Sequence, residues 1–128
     1  MSDVFTPIIY VRQGCPFCMK LRLFLLETGQ LASVSVREGQ NDEEHSQLAA
    51  HLAAHLGKAS FPSAEIAPGE YLADSDALVD HFASKAGVDL AGQPTYQAFV
   101  GHVLPRLRQL FQENMELKKQ LTDGTPAA

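Results

Sequence analysis

Two cysteines, Cys15 and Cys18, are the residues of this chain whose type and spacing could do chemistry. They are the only cysteines among 128 residues, too few for the disulfide framework of a secreted scaffold. Cys15 follows a predicted strand and stands at the start of a predicted helix, where free N–H groups and the macrodipole favour a thiolate. Arg12 adds a positive charge nearby. We expect Cys15 to be the attacking thiolate and Cys18, nearly one turn later, the resolving thiol.

Two other interpretations of this Cys-x-x-Cys sequence compete with the redox motif. A structural zinc site needs two further ligands, which only His51 and His55, four residues apart, could supply. The gap of about 30 residues differs from the usual 12–15 of a zinc finger. The other alternative is a reduced pair in the core without redox function. The five histidines are predicted to be solvated helix positions rather than ligands, so no metal site is predicted.

Alternating strands and helices are predicted to position the motif. Apolar runs and period-two patterns indicate strands, whereas recurrence at three and four residues with Ser, Asp or Asn at the start indicates helices. The order β-α-β-α-β-β-α implies an α/β fold with a mixed sheet and helices on both faces. The strands are predicted at 7–11, 32–37, 61–66 and 71–72, and the helices at 16–28, 43–56 and 75–86.

The C-terminal part of the chain has a different pattern. Residues 95–121 are predicted to form one long helical stretch, in which Pro105 should either kink the helix or mark a break near His102, because proline lacks an N–H. Eight residues recur at alternating intervals of four and three positions. This spacing predicts a seam that packs against the domain or against a second copy of the chain. We therefore divide the chain into a domain at 1–88 and a helical extension at 89–128. The seam residues are Tyr96, Val100, Val103, Leu107, Leu110, Asn114, Leu117 and Leu121.

Composition narrows the range of partners and compartments. Lys and Arg number 10 and Asp and Glu 15, so the net charge is −5. Without a basic run, nucleic acid is not an expected partner. No apolar segment approaches the roughly 18–20 residues that span a bilayer, and the first residues show no secretory signal. A cytoplasmic location is the resulting expectation.

Three segments resemble a known family in the expected order. Residues 10–18, Tyr-Val-Arg-Gln-Gly-Cys-Pro-Phe-Cys, resemble the active-site segment of glutaredoxins, with Phe17 in the place of their usual tyrosine. Phe61-Pro62 resembles the bond before the cis-proline of the thioredoxin fold. Residues 73–78 are similar both to the glutaredoxin segment that opens the last helix and to that of glutathione S-transferase N-terminal domains. The resemblance covers about residues 6–86 and implies a thioredoxin-like fold of the glutaredoxin type.

The resemblance further implies glutathione as a co-substrate. Its cysteine would pair with the main chain of Phe61, and its γ-glutamyl carboxylate would meet Ser75 at a helix start. Asp76 (by the glutaredoxin alignment) or Asp74 (by the transferase alignment) would receive the amino group, although simple capping explains these residues too. Where glutaredoxins usually carry Gly-Gly, this chain has Ala73-Asp74. The implied binding residues are Arg12, Phe17, Phe61, Pro62, Asp74, Ser75 and Asp76, with Arg12, Lys20 and Arg37 as candidates for the glycyl carboxylate.

The predicted function is that of a glutathione-dependent thiol–disulfide oxidoreductase acting on protein or small-molecule disulfides. In this hypothesis the catalytic residues are Cys15 and Cys18. Two alternatives stay open. The chain could be a glutathione-binding or homodimeric interaction module related to transferase N-terminal domains, with the 95–121 helix as the interface. It could also be a carrier in which Cys15 and glutathione hold an iron–sulfur cluster between two copies.

Overall fold

A computed structural model describes residues 4–123, and the predicted order of strands and helices is confirmed. The start of the chain, for which no signal segment is predicted, lies partly outside these residues. The second strand begins later than predicted, because residues 31–33 form a 3-10 turn instead. The strands are β1 (Ile8–Val11), β2 (Ser35–Glu38), β3 (Ser63–Ala67) and β4 (Glu70–Ala73), and the first helices are α1 (Pro16–Glu27), α2 (Asp42–Leu56) and α3 (Ser75–Ala86).

The four strands form one mixed sheet in the order β2-β1-β3-β4. β1 and β2 are parallel, with α1 in the crossover between them, and β3 is antiparallel to both β1 and β4. Tyr10 pairs with Ser63, and Ser63 pairs with Ala73. The end of β1, the start of β3 and the end of β4 therefore lie at the same edge of the sheet.

The core lies between the sheet and the helix pair α1 and α3. Successive strand residues point to opposite faces, so Ile9 and Val11 join this core while Tyr10 points to the α2 side, 5.5 Å from the His51 ring. Each of these three strand residues is at most 1% exposed. The helices contribute Leu21, Phe24 and Leu25 from α1 and Leu78, Val79 and Phe82 from α3.

The C-terminal extension is attached to α1 by its first helix. α4 (Pro94–Ala98) begins where the Glu27 carboxylate accepts hydrogen bonds from the N–H groups of Thr95 (2.9 Å) and Tyr96 (2.8 Å). These are N–H groups that a helix start leaves without a partner. The Tyr96 ring packs edge-on against Phe24, with centroids 5.3 Å apart.

The predicted interruption of the long helix is confirmed. A π-helical turn at Phe99–Val103 separates α4 from α5 (Leu104–Thr122), and Pro105 stands in the first turn of α5. The N–H of Leu104 donates to the Phe99 carbonyl five residues back, and Pro105, which has no N–H to donate, follows directly after this widened turn. Of the α5 residues only Leu104 is buried. No helix among the residues described is long and apolar enough to cross a membrane.

Candidate active site

Three chain reversals at one edge of the sheet create the site. Gly14 reverses the chain between β1 and α1 with a φ of +72°, a conformation that glycine adopts without strain. The Phe61–Pro62 bond, which is cis, leads into β3. Asp74, after β4, has a φ of +85° although it is not a glycine, a geometry that costs about 1–3 kcal/mol and is found mostly at functional sites. The strand ends thus bring Gly14 and Asp74, 60 positions apart in the sequence, to the same edge of the sheet.

Cys15 and Cys18 face each other across the first turn of α1. The Cys15 sulfur accepts a hydrogen bond from the backbone N–H of Cys18 at 3.3 Å, as an N-cap group does. The backbone N–H of Arg12 donates to the Cys18 sulfur at 3.4 Å. Cys15 is partly exposed, whereas Cys18 is 2% exposed. This is the arrangement predicted for an attacking thiol and a thiol held behind it.

The surroundings of the two sulfurs move their pKa values apart. The hydrogen bond from the Cys18 thiol is the main reason that the pKa of Cys15 falls from 9.0 to about 6; burial opposes it, and the N–H groups of Cys18 and Phe17 and the Arg12 charge assist. The same hydrogen bond between the two sulfurs, together with burial, holds the pKa of Cys18 far above the ordinary thiol value. At neutral pH the pair therefore carries one thiolate, on Cys15, and one thiol.

An open groove of about 1120 Å³ leads to the Cys15 sulfur. We call it the Cys15 groove. One wall is formed by the start of α1 and by Phe61, and the other by α5, where Leu107, Leu110 and Asn114 of the predicted seam face the groove. The guanidinium of Arg108 lies 5.8 Å from the centre of the Phe17 ring, so a cation–π contact joins the two walls.

Phe61 lies beside the Cys15 sulfur. Its carbonyl oxygen lies 4.0 Å from the Cys15 sulfur, and the Phe61 ring is half-buried against His45 of α2, with ring centroids 4.9 Å apart. A second recess, of about 450 Å³, is lined by His45 and by Arg12, which also lines the Cys15 groove. Arg12 therefore lies between two cavities.

The start of α3 forms a separate polar cluster. The Asp74 carboxylate accepts from the N–H of Ala77 at 3.1 Å and caps the helix. Lys20 of α1 is only 6% exposed, and its ammonium group donates to the Ser75 hydroxyl at 3.4 Å and forms an ion pair with Asp76. The Asp76 side chain is otherwise exposed. These contacts join the end of the sheet to the helix that carries the cysteines.

The predicted site residues fall into two groups. Arg12, Cys15, Phe17, Cys18 and Phe61 line the Cys15 groove. Pro62 is buried behind Phe61. Asp74, Ser75 and Asp76 gather at the start of α3 and are not part of the groove wall. Of the three candidates for the glycyl carboxylate, Lys20 is engaged at α3 and Arg37 lies exposed on β2, which leaves Arg12 at the groove.

Three residues of the site make contacts that were not predicted. Lys20 was one candidate for the glycyl carboxylate of glutathione, His45 was expected to be solvated, and Arg108 was not considered. Apolar spacing along 95–121 indicated that α5 packs, but not against what. Across residues 4–123, no cluster of three or more His, Cys, Asp or Glu side chains could hold a metal ion.

Solved structures of glutathione transferases share this arrangement of strands and helices. A possible glutathione S-transferase from Rhodopseudomonas palustris is 28% identical, with a TM-score of 0.54 over 67% of this chain and 42% of its own. A glutathione S-transferase from the Antarctic clam Laternula elliptica is 15% identical, with a TM-score of 0.60 over 88% and 53%. The oxidized glutaredoxin 2 of Chlamydomonas reinhardtii is 22% identical, with a TM-score of 0.49 over 66% and 84%. No curated protein matches the chain.

The fold is therefore thioredoxin-like, of the class shared by glutaredoxins and the first domains of glutathione transferases. The family described as "Glutathione S-transferase, N-terminal domain" matches residues 9–94. The chain belongs to this family, which indicates a glutathione-related function. It spans about half the length of the two transferases above.

Proposed function

We propose that the protein is a glutathione-dependent thiol–disulfide oxidoreductase. The observation that carries this proposal is the cysteine pair: a partly exposed Cys15 sulfur, opening onto a groove, whose pKa is lowered to about 6. A thiolate is the nucleophile in disulfide exchange, and its reactivity is highest when its pKa lies near the ambient pH. A buried structural thiol has no such requirement.

The first step is attack on a glutathionylated thiol. The Cys15 thiolate attacks the glutathione sulfur, a Cys15–glutathione disulfide forms, and the substrate leaves as a thiolate that takes a proton from solvent. A second glutathione thiolate then attacks the glutathione sulfur of this intermediate. Oxidised glutathione is released and the Cys15 thiolate is restored. The net change moves the disulfide bond from the substrate to a pair of glutathione molecules: the substrate sulfur is reduced to a thiol, and the sulfur of the second glutathione is oxidised.

Cys18 supplies a second route when the intermediate joins Cys15 to a protein thiol. The bond to the Cys15 thiolate is the largest cause of the raised pKa of Cys18. Once Cys15 is part of a mixed disulfide that charge is gone, so Cys18 loses its proton more readily. Its thiolate attacks Cys15 and releases the substrate thiol, leaving a Cys15–Cys18 disulfide. Two glutathione molecules reduce this disulfide and leave as oxidised glutathione.

Glutathione would lie across the two groups of site residues. Its cysteine would pair with the main chain of Phe61, next to the Cys15 sulfur, and its glycyl carboxylate would meet Arg12. Its γ-glutamyl end would reach the start of α3, where Ser75 and the N–H groups favour an anion. A reducing compartment such as the cytoplasm supplies the reduced glutathione that this cycle consumes.

Glutathione-dependent reduction of a small mixed disulfide tests the proposal. The wild type should exceed the uncatalysed glutathione rate, Cys15→Ser should fall to that rate, and Cys18→Ser should retain reduction of glutathionylated substrates. Cys18→Ser should also lose dithiol-driven reduction of protein disulfides. Full activity in Cys15→Ser, or none in the wild type, would refute the assignment.

A homodimeric glutathione-binding module is the second candidate, because α5 leaves apolar side chains uncovered. Leu110 is 45%, Leu117 59% and Leu121 78% exposed. Light scattering tests for the dimer, and Leu117→Glu should dissociate it. Glutathione binding by Cys15→Ser without turnover in the wild type would favour this candidate. Absorbance of anaerobically purified protein tests the iron–sulfur alternative, which stays a prediction.

A further inference from the structure

Lys20 of α1 carries a buried charge. Within residues 4–123 it is the one charged residue that is buried, at 6% exposure. An ammonium group is costly to bury unless charged and polar groups surround it. Its partners, the Ser75 hydroxyl and the Asp76 carboxylate, both lie at the start of α3. Both were predicted to bind glutathione.

The direction of the Lys20–Ser75 hydrogen bond determines what Ser75 offers to a ligand. An ammonium group can only donate, so the Ser75 oxygen accepts at 3.4 Å. The hydroxyl hydrogen of Ser75 is then free to point away from Lys20. A serine held in this way presents a donor at the helix start, which is the group that a carboxylate ligand needs.

Lys20 also balances the charge of this helix start. Asp74 and Asp76 stand on either side of Ser75, and together they would repel an incoming carboxylate. With Lys20 the three side chains sum to −1, and without it to −2. At 94% burial the ammonium charge is poorly screened by water, so it acts on a ligand held at Ser75.

We propose that Lys20 is a positioning residue for the γ-glutamyl α-carboxylate of glutathione. It orients the Ser75 hydroxyl as a donor and offsets the two neighbouring carboxylates, so that the helix start accepts an anion. Asp76, paired with Lys20 on one side and exposed on the other, is left to receive the ligand's α-ammonium group. The pair thus selects a zwitterionic amino-acid end. This inference rests on the proposed function.

A ligand analogue separates this role from a structural one. In the analogue the γ-glutamyl α-carboxylate of glutathione is an amide, and the thiol and the rest of the molecule are unchanged. We measure kcat/KM for the reduction of a small mixed disulfide, once with glutathione and once with the analogue as the reductant. Each value is divided by the rate with dithiothreitol as the reductant, which corrects for the amount of folded, competent enzyme. The wild type should prefer glutathione by about tenfold, the usual effect of one charge-assisted hydrogen bond.

In Lys20→Met the preference should fall below about twofold, mostly through a higher KM for glutathione. If Lys20 only supported folding, kcat/KM would fall equally with glutathione and with the analogue, and the preference for glutathione would persist. Lys85→Met is the matched control, because it removes the same charge from the exposed last turn of α3. It should keep the full preference.

Ser75→Ala removes the oriented hydroxyl without burying a new group, and it should lose the preference in the same way. A full preference in Lys20→Met or in Ser75→Ala would overturn the inference. So would a wild type that uses both ligands equally well. A wild type without any glutathione-dependent activity is a different result, because it would refute the proposed function itself.

Discussion

Replacing Cys18 by alanine tests how the Cys15 thiolate is stabilised. The Cys18 thiol provides the largest contribution that lowers the pKa of Cys15 from 9.0 to about 6. Alanine cannot donate a hydrogen bond, so Cys18→Ala should raise the pKa of Cys15 toward the ordinary value. Cys18→Ser is the matched control, because the serine hydroxyl can still donate a hydrogen bond to Cys15. In this variant the pKa of Cys15 should stay nearer the wild-type value.

The size of the effect follows from two opposing factors. A complete return of the pKa to 9.0 would cut the thiolate fraction at pH 6 by about 500-fold. The more basic thiolate is intrinsically more nucleophilic, by roughly 16- to 32-fold with a Brønsted coefficient of about 0.4–0.5. For a complete return of the pKa, alkylation at pH 6 should therefore slow by about 16- to 30-fold. Above pH 10, where both proteins carry the thiolate, Cys18→Ala should react faster.

Rates of iodoacetamide alkylation are measured from pH 4 to 11 by mass spectrometry of the Cys15 peptide. They give both the pKa of Cys15 and the intrinsic reactivity of its thiolate. In the two variants Cys15 is the only cysteine, so the label is unambiguous. A Cys18→Ala profile with its midpoint still near pH 6 would refute the argument, because the thiolate would then owe its stability to the helix start and Arg12. The absence of a crossing at high pH would refute the Brønsted correction.

Three further changes test the fold around the site. Because the folded pKa of Cys15 is depressed from 9.0 to about 6, the thiolate's contribution to stability is complete above pH 9 and is lost as the pH falls through 6. The melting temperature of the reduced wild type relative to Cys15→Ser should therefore rise between pH 6 and 9, and a flat difference would contradict the shift. Glu27→Ala removes the acceptor for two N–H groups of α4, so hydrogen exchange should accelerate at residues 95–98. Unchanged exchange would show that the carboxylate does not hold the extension. Gly39→Ala places a Cβ 2.5 Å from the backbone nitrogen of His45 and should cost about 1–3 kcal/mol of unfolding free energy in urea. Gly92→Ala, where a Cβ meets nothing within 4 Å, should cost less than about 1 kcal/mol.

The sheet and its helices were predictable because their signals are local. The continuous apolar run of β1, and Pro16 and Asn41 at helix starts, indicate these elements without distant contacts. The second strand was misplaced by about three residues, because its limits depend on pairing with β1, where Ser35 lies opposite Ile8. Sequence patterns describe one segment at a time, so they do not determine this register.

Asp74 and Lys20 show why part of the site could not be predicted. A φ of +85° at Asp74 contradicts the preference of an L-residue, and the surrounding sheet and helix impose it. The ion pair between Lys20 and Asp76 joins residues 56 positions apart, so it depends on how α1 packs against α3. By contrast, the roles that we propose for Cys15 and Cys18 were predicted from their position after a strand and at a helix start.

The path of α5 is the least predictable feature. Heptad spacing predicted that Leu107, Leu110 and Asn114 share a face, and all three line the Cys15 groove. The spacing did not indicate that a groove, rather than a closed core, lies beneath them. That outcome depends on the π-helical turn at Phe99–Val103 and on the contact of α4 with Glu27.

The central claim is that Cys15 takes up glutathione through a disulfide. The most direct test mixes reduced Cys18→Ser protein with a glutathionylated peptide, quenches with acid after increasing times and measures intact mass. The account predicts that the protein gains the mass of one glutathionyl group, located on Cys15 by peptide mapping, and loses it when glutathione is added. A protein that stays unmodified while Cys15 is reduced and folded would contradict the account.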